Sequence, residues 1–348
     1  MTRAAPVDRP APPTPRPGLV ALRILGTGSM RPGAPVPSDR LDRDLGLAPG
    51  HLQQRTGVAT RHFAQTHSQI DMAATAAQAA LDDAGLDPGA LDLILSASAV
   101  AYQTLPATAP LLMRALGLRD GAAACFDVNS SCTSFLSALD IAARQIATGA
   151  ATRALIVSSE IASRGLPWRD APETAALFGD GAAAVVLGPA DQPGQGIRAS
   201  LMRSYPSHYD DCEIAAGGTR IDFHADPEAF CAGTTFRMDG KSLFAITLRQ
   251  FPGFVRDLLA QAGWSPDSVD CIVPHQASPH ALGHMARQTG FEPARIIDIS
   301  RSTGNQIAAS IPTALDHARR SGRAGPGQRL LLLGTSAGVS FAGIALQT

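Results

Sequence analysis

The stretch that decides the fold is Leu81-Asp-Asp-Ala-Gly-Leu-Asp-Pro-Gly-Ala-Leu-Asp-Leu-Ile94, because it recurs as Leu259-Ala-Gln-Ala-Gly-Trp-Ser-Pro-Asp-Ser-Val-Asp-Cys-Ile272. Each copy predicts a helix end, a Gly-x-x-Pro turn and an apolar strand. Strands that alternate with helices indicate βαβ units and a mainly parallel sheet. Two copies at a long spacing predict an α/β protein made of two fused pseudo-symmetric halves, not a solenoid.

The likeness between the halves continues beyond this repeat. Ser137-Ala-Leu-Asp140 is echoed by Thr313-Ala-Leu-Asp316, each at the head of a predicted helix that leads to a strand. Both halves also end alike, with a Gly-rich turn followed by an apolar strand, at Phe178–Leu187 and at Gly334–Gly343. The duplication therefore spans most of the chain.

Three segments follow from this reading. Residues 1–18, six of them Pro, are expected to be a flexible extension. Residues 19–192 form the N-terminal half and residues 193–348 the C-terminal half, since a Pro- and Gly-rich connection lies near 189–196. The first strand, Leu19–Leu25, is expected to end at Gly26-Thr-Gly28, which lacks the further glycine of a dinucleotide-binding loop.

Composition excludes several classes of function. With 45% apolar and 17% charged residues among 348, a large core is feasible. The net charge of −1 gives no electrostatic reason to expect nucleic acid or an anionic membrane as a partner. The five cysteines form no Cys-x-x-Cys pair, so zinc and disulfide scaffolds are not expected and a cytoplasmic location fits. No apolar run is long enough to span a bilayer.

The clearest chemical feature is Asp127-Val-Asn-Ser-Ser-Cys132-Thr-Ser-Phe-Leu-Ser-Ala-Leu-Asp140. It follows the apolar run 122–128, which we interpret as a buried strand, and opens a helical pattern that Gly149 stops. Cys132 therefore sits at a strand-to-helix junction, where free N–H groups and the helix dipole favour a thiolate. A buried, inert thiol is the alternative for a single cysteine in such a place.

The duplication predicts which loops meet Cys132. In the register of the repeat, Cys132 and the Gly304-Asn305 loop occupy corresponding strand–loop–helix positions, and His275 follows the second copy of the repeated strand. Ligands of open α/β sheets bind at the carboxyl ends of strands, where each of these residues lies. We therefore expect the three loops to converge between the halves.

Several separated motifs resemble one known family. The motifs are Gly26-Thr-Gly28, Arg55-Thr-Gly57, the Cys132 junction, Phe178-Gly-Asp-Gly181, Ile272-Val-Pro-His-Gln-Ala277, Ser302-Thr-Gly-Asn-Gln-Ile-Ala-Ala-Ser-Ile-Pro312 and Gly334-Thr-Ser-Ala-Gly338. Together they resemble β-ketoacyl-acyl-carrier-protein synthase III, a branch of the thiolase-fold condensing enzymes. The resemblance implies a thiolase fold with five layers, α-β-α-β-α, in a homodimer.

The resemblance also implies the chemistry. Cys132 takes an acyl group from an acyl-CoA or an acyl-carrier protein, while His275 and Asn305 donate hydrogen bonds to the malonyl thioester of a second carrier protein. The backbone N–H groups of Cys132 and Ala337 form the oxyanion hole. No metal and no cofactor are expected, since the substrates bring their own phosphopantetheine. The product is a 3-oxoacyl thioester, made at the start of fatty-acid synthesis or in a polyketide, secondary-metabolite or cofactor pathway.

The expected substrate-binding residues are His51, Arg55, Leu105, Gln276 and His280. His51 stands where many family members carry a tryptophan that stacks on adenine, and His280 where they carry an arginine. Leu105 matches the position that caps the acyl pocket from the partner subunit, a phenylalanine in short-chain enzymes. These departures suggest a specialised paralogue with a longer or functionalised primer.

Two alternatives stay open from the sequence. One is an acyltransferase of the same fold that moves an acyl group to oxygen or nitrogen without decarboxylation, which the retained Asn305 disfavours. The other is a non-catalytic partner subunit, which the intact Cys132, His275 and Asn305 disfavour.

His280 and His284 are one helical turn apart, but we expect a surface pair there and not a metal site. We expect Phe178-Gly-Asp-Gly181 to be a structural turn.

Overall fold

The computed structural model describes residues 18–348, so the extension expected at 1–18 lies almost wholly outside the described residues. The described strands are β1 Val20–Ala21, β2 Arg23–Met30, β3 Val36–Pro37, β4 Thr60–Arg61, β5 Leu93–Ser96, β6 Ala124–Asp127, β7 Ala154–Glu160, β8 Gly181–Gly188, β9 Gly196–Ser204, β10 Cys212–Glu213, β11 Arg237–Met238, β12 Cys271–Pro274, β13 Arg329–Ser336 and β14 Ser340–Gln347. The helices are α1 Ser38–Asp44, α2 His51–Thr56, α3 Gln69–Ala84, α4 Thr108–Ala115, α5 Ser134–Ala147, α6 Pro172–Ala175, α7 Pro227–Gly233, α8 Gly240–Ala262, α9 Pro279–Thr289, α10 Ser300–Thr303 and α11 Ser310–Arg320. In this part of the chain no helix is long and apolar enough to cross a bilayer.

The repeated stretch folds in the same way in both halves. Helix α3 ends at Gly85 and helix α8 at Gly263, each in the left-handed conformation that suits glycine. A short 3-10 turn beginning at the repeat's proline follows in both copies, and then β5 or β12. The two central helices also correspond, because α5 carries the first Ala-Leu-Asp echo and α11 the second.

Each half builds one five-stranded sheet. The first has the order β2-β8-β7-β5-β6 and the second β1-β9-β14-β13-β12. Among the strand pairs of the two five-stranded sheets in residues 18–348, β5–β6, β5–β7 and β12–β13 are parallel and the rest are antiparallel, so the expectation of mainly parallel sheets is wrong. The physical reason is that each half ends in a strand that turns back, as β14 does after the tight turn at Gly338. The boundary placed at 192/193 stays a prediction, and β1 pairs with β9 across it.

Five layers result from the packing of these elements. Helices α5 and α11 lie between the sheets, and one apolar cluster joins their residues to both sheets. A second cluster packs α8 and α9 on the outer face of the second sheet, and a third packs α3 and α4 on the first. The fold is therefore the α-β-α-β-α thiolase arrangement, as expected.

A buried carboxylate joins the halves within the middle layer. Asp316 of α11 is 3% exposed and accepts hydrogen bonds from Thr27 Oγ1 at 2.8 Å and Ser29 Oγ at 2.6 Å, both on β2. Arg320 Nε donates to the same carboxylate at 2.9 Å. Paired and hydrogen-bonded in this way, the charge holds α11 of one half against β2 of the other.

Gly26 and Gly28 of β2 allow helix α3 to pack closely against the strand. The strand expected at Leu19–Leu25 is divided in the structure: β1 covers Val20–Ala21, and β2 begins at Arg23 and runs on through Gly26-Thr-Gly28 to Met30. Helix α3 crosses so close that a Cβ on Gly28 would lie 2.5 Å from the carbonyl oxygen of Ala76. Only a residue without a side chain allows this approach between strand and helix.

The strand that precedes the nucleophile also differs from expectation. It spans Ala124–Asp127 and forms the edge of the first sheet, so it is not buried in the single chain. Phe126 is 38% exposed there. An exposed apolar edge strand is a surface that a soluble protein ordinarily covers.

Replacing Gly28 with Ala tests the contact between β2 and α3. The added methyl group meets backbone atoms that cannot move aside, so Gly28→Ala is expected to lower the free energy of unfolding by about 3 kcal/mol. Urea denaturation measures this change. Gly89→Ala is the matched control, since nothing lies within 4 Å of a Cβ there. Equal stability of the two variants would contradict the packing argument.

Candidate active site

The segment around Cys132 is held by its own polar side chains. Asn129 Oδ1 accepts a hydrogen bond from the N–H of Ser131 at 2.9 Å, and Ser131 has a positive φ of 54°. Ser134 Oγ accepts from the N–H of Ser130 at 3.0 Å and donates to the carbonyl of Ser131 at 2.6 Å. The hydroxyl-rich sequence is therefore a set of local caps that fix the strained turn before the nucleophile.

Cys132 rests as a neutral thiol. Burial raises the pKa of its side chain to about 12, and the nearby Cys212 and Glu160 raise it further. The N–H groups of Ala337 and of Cys132 itself bond the sulfur and lower the pKa, but less than burial raises it. Desolvation therefore opposes the thiolate that the strand-to-helix junction is expected to favour. The same two N–H groups are the ones predicted for the oxyanion hole.

A backbone contact between the halves fixes the Asn305 loop. The N–H of Asn305 donates to the carbonyl of Leu177 at 2.8 Å, and the N–H of Gly179 donates to the carbonyl of Asn305 at 3.1 Å. A Cβ on Gly179 would lie 2.3 Å from the carbonyl oxygen of Thr303. Phe178-Gly-Asp-Gly181 is therefore a structural support for Asn305, as expected for this motif, and it acts from the opposite half.

The Asn305 amide is oriented by its oxygen. Oδ1 accepts a hydrogen bond from the N–H of Ile307 at 2.8 Å, and the Ser310 hydroxyl lies 3.4 Å away. Ile307 has a positive φ of 52°, so the loop takes a strained conformation to make this bond. With the oxygen held by the protein, the Nδ2 group remains as a donor for a ligand.

His275 is buried and uncharged. Its backbone N–H donates to the carbonyl of Leu333 at 2.7 Å, and the residue is only 7% exposed. Burial lowers the pKa of the imidazole to about 4, so the ring is neutral near pH 7. Its Nδ1 atom is buried and has no partner among the described residues. A neutral imidazole has one N–H to donate and one nitrogen to accept.

Gln276 supports His275 and does not reach a ligand. It is fully buried, and its amide donates to the carbonyls of Pro274 at 2.8 Å and Ile297 at 3.0 Å. Its oxygen accepts from the N–H of Ile299 at 2.9 Å. Because both amide hydrogens are used, the predicted substrate-binding role for Gln276 is wrong, and we assign it a structural one.

The three predicted catalytic loops meet around the end of β13. A Cβ on Gly334 would lie 2.8 Å from Cγ2 of Thr133, beside the nucleophile, and 3.3 Å from Cδ1 of Ile311, at the start of α11. The preceding residue, Leu333, holds the backbone of His275. The structure thus brings together the segments that carry Cys132, Asn305 and His275. Cys132 and His275 follow strands β6 and β12, but Asn305 follows the short helix α10, so the expectation that it follows a strand is wrong.

Three more of the predicted substrate-binding residues, His51, Arg55 and His280, lie on the neighbouring helices α2 and α9. We call this group the rim. His51 Nε2 lies 3.0 Å from a carboxylate oxygen of Glu173, and Arg55 is exposed in the last turn of the same helix. His280 Nε2 lies 3.4 Å from the carbonyl oxygen of Gln54, so the start of α9 abuts α2. The pair with His51 holds the pKa of Glu173 below its usual range.

Leu105 is separate from this rim. It is 84% exposed and lies in the wholly exposed segment 101–107, next to the edge strand β6. Such a side chain has nothing of its own chain to cover it.

The described residues offer no group of three or more His, Cys, Asp or Glu side chains that could hold a metal. His284, considered beside His280, stacks on Phe244 with 4.6 Å between ring centroids. The five cysteines are all free.

The sequence motifs do not include Glu160, a residue close to Cys132. It is fully buried at the end of β7 and raises the pKa of Cys132. A signal was present, since a glutamate that closes an apolar strand needs buried partners. Those partners are backbone N–H groups from distant loops, which a sequence pattern does not reveal.

Comparison with known proteins identifies a family. Residues 126–206 and 259–348 match family models described as 3-oxoacyl-[acyl-carrier-protein (ACP)] synthase III and its C-terminal region. The β-ketoacyl-[acyl-carrier-protein] synthase III of Neisseria meningitidis serogroup C is 35% identical over 331 residues, 93% of this chain and 98% of the relative. That of Rhodospirillum rubrum is 37% identical over 322 residues, 91% and 96% of the two chains.

Solved structures agree as well. The 3-oxoacyl-(acyl carrier protein) synthase III of Pseudomonas aeruginosa PAO1 superposes with a TM-score of 0.84 at 34% identity, covering 94% of this chain and 98% of that one. The priming β-ketosynthase of the R1128 polyketide pathway gives 0.86 at 29% identity, covering 97% and 98%.

The fold and the site together define a thiolase-fold acyltransferase. Within that class, this chain belongs to the β-ketoacyl-acyl-carrier-protein synthase III family, which confirms the resemblance found in its motifs.

The protonation state of Cys132 is open to a direct test. Because only the thiolate is alkylated and the pKa is about 12, the rate of iodoacetamide modification is expected to rise about tenfold per pH unit from 7 to 10. Peptide mass spectrometry measures modification at Cys132, and Cys132→Ala supplies the background from the other cysteines. A plateau near pH 8 would show a thiolate in the resting enzyme.

Proposed function

We propose that this chain joins an acyl primer, held as a thioester on Cys132, to malonyl-acyl-carrier protein by decarboxylative condensation, giving a 3-oxoacyl thioester. The product starts a fatty acid or a polyketide or related specialised compound. The observation that carries this proposal is the fixed orientation of Asn305, whose oxygen is bonded to the N–H of Ile307. An amide donor held ready in this way suits an oxygen on which negative charge develops.

Acyl loading comes first. The Cys132 sulfur attacks the carbonyl carbon of the primer thioester, and the oxyanion lies between the N–H groups of Cys132 and Ala337 that already bond the sulfur. The carbon–sulfur bond of the donor then breaks, and the departing thiol carries the proton that Cys132 releases. The neutral resting thiol keeps the nucleophile protected until a substrate fills the site.

Decarboxylation follows on the acyl-enzyme. The malonyl thioester places its carbonyl oxygen against His275 and Asn305 Nδ2, which donate to it as the bond to the carboxylate breaks and an enolate forms. Because the imidazole has a pKa of about 4, it is neutral near pH 7 and donates through its single N–H. Each such donor stabilises the transition state by about 3 kcal/mol. The enolate carbon then attacks the carbonyl carbon of the acyl group, the bond from that carbon to the Cys132 sulfur breaks, and the released thiolate takes a proton from solvent.

The rim of α2 and α9 supports binding of a phosphopantetheine thioester, with Arg55, His51 and His280 at the entrance. His51 is paired with Glu173, so it is not a free aromatic platform for adenine. The primer arrives as an acyl-CoA or on a carrier protein. We place the protein in the cytoplasm, where five free cysteines are stable.

We further propose that the enzyme is a homodimer. The edge strand β6 exposes Phe126, and Leu105 in the exposed segment 101–107 has no cover within its own chain. That segment leads into Thr108 and Ala109, whose N–H groups bond Asp127 at the end of β6. Pairing of β6 with a second copy would satisfy the strand's free backbone groups, and isologous contacts of this kind are common. Leu105 would then cap the acyl pocket of the partner.

Separate assays of loading and decarboxylation test the assigned roles. Cys132→Ala is expected to abolish acyl transfer from a labelled acyl thioester, measured as intact mass. Asn305→Ala is expected to load normally but to release carbon dioxide from malonyl-acyl-carrier protein about 10²–10³-fold more slowly, because one donor to the enolate oxygen is lost. Normal product formation by either variant would contradict the proposal.

The gate role of Leu105 predicts a change in primer range. A bulkier Leu105→Phe side chain is expected to leave two- and three-carbon primers unaffected and to slow loading of eight-carbon primers at least about tenfold. Intact-mass kinetics on a series of acyl thioesters measure this. Leu19→Phe, the same change at another exposed leucine, is the control. An unchanged chain-length profile would remove Leu105 from the pocket.

A further inference from the structure

Glu160 is an acidic side chain in a place that charges avoid. It closes strand β7 at the carboxyl end of the first sheet and is fully buried. Burial raises the pKa of its carboxyl group to about 8. A buried acid is costly unless its oxygens are bonded, so its partners indicate why it is there.

Those partners are three backbone N–H groups on two loops. Ala99 donates to Oε1 at 2.5 Å and Val100 donates to Oε2 at 3.2 Å. The third donor is the N–H of Ala308. No salt bridge to Glu160 exists among residues 18–348, so backbone groups alone meet this carboxylate.

Both loops lead directly to groups of the proposed mechanism. Ala308 lies three residues beyond Asn305, in the strained turn that Ile307 begins. Val100 opens the exposed segment that carries Leu105. One carboxylate therefore bonds the loop of the enolate-binding amide and the loop of the acyl gate.

The nucleophile is connected to the same point. The carbonyl of Ala99, whose N–H bonds Glu160, accepts a hydrogen bond from Asn129 Nδ2 at 3.0 Å. Asn129 in turn caps Ser131, next to Cys132. Hydrogen bonds thus connect Glu160 to the Asn305 loop, to the segment that carries Leu105 and, through Asn129, to the turn before Cys132.

We propose that Glu160 is a positioning residue of the condensation, whose carboxylate holds the Asn305 loop and the Leu105 segment in a fixed relation to Cys132. This inference rests on the proposed function, since it assigns Glu160 to the decarboxylation step. Glu160 touches no reacting atom. It acts on geometry, and a displacement of about 1 Å at a reacting centre can cost about 10²-fold in rate.

Amide replacement tests the carboxylate. The variant Glu160→Gln turns an NH₂ group toward backbone donors, so it loses at least one of the three bonds while the side chain keeps its size. At pH 9, where the carboxyl group of the parent is ionised, we expect acyl loading of Cys132 within about twofold of the parent and carbon dioxide release about 10²-fold slower. Glu292→Gln, at an exposed glutamate, is the matched control.

Hydrogen exchange supplies a readout that activity does not. In Glu160→Gln, amide exchange is expected to increase in residues 99–107 and in residues 304–309 together, with the strands of both sheets unchanged. If Glu160→Gln does not fold, as judged by circular dichroism, Glu160→Asp keeps the charge but retracts it and should give the same pattern with smaller changes.

The outcomes separate the inference from the function on which it rests. A parent enzyme that releases no carbon dioxide from malonyl-acyl-carrier protein overturns the proposed function. An active parent with unaltered Glu160→Gln, equal losses of loading and decarboxylation, or faster exchange in only one of the two segments overturns the positioning role alone.

Discussion

The active site depends on backbone-to-backbone contact between the two halves. Leu177 and Gly179 of the first half bond both sides of Asn305 in the second, at a separation that only glycine allows. No flexible side chain is interposed, so the position of the amide follows from the packing of the sheets themselves. The packing of the two halves, to which the bonds between Asp316 and β2 contribute, thus fixes the position of the Asn305 amide, the proposed donor to the enolate oxygen.

Burial sets the chemistry of the other two groups. The same exclusion of water that raises the pKa of Cys132 lowers that of His275, so both are neutral at rest. A neutral pair avoids the cost of a buried ion pair and leaves the oxyanion contacts as the main source of charge stabilisation. Reactivity is then generated only when a thioester, with its polarised carbonyl, occupies the site.

Much of this could be predicted from the sequence. The repeat ending at Ile94 and Ile272 indicated the two halves, and the spacing of Cys132, His275 and Asn305 indicated loops that the structure brings together. Local sequence patterns gave wrong predictions where the burial of a segment depends on elements that are distant in the sequence. The run 122–128 is apolar yet forms an edge strand, because strand order is a tertiary property.

The errors at single residues have the same origin. Gln276 is expected to bind substrate, but its amide bonds the backbone of residues 274, 297 and 299. Glu160 is not revealed by local patterns, because its partners lie about sixty residues before it and about 150 after it.

Strand β6 has a further consequence. In the proposed dimer, β6 pairs through backbone groups that every related chain also carries, so only the side chains of residues 124–127 on that strand distinguish a second copy from a related chain.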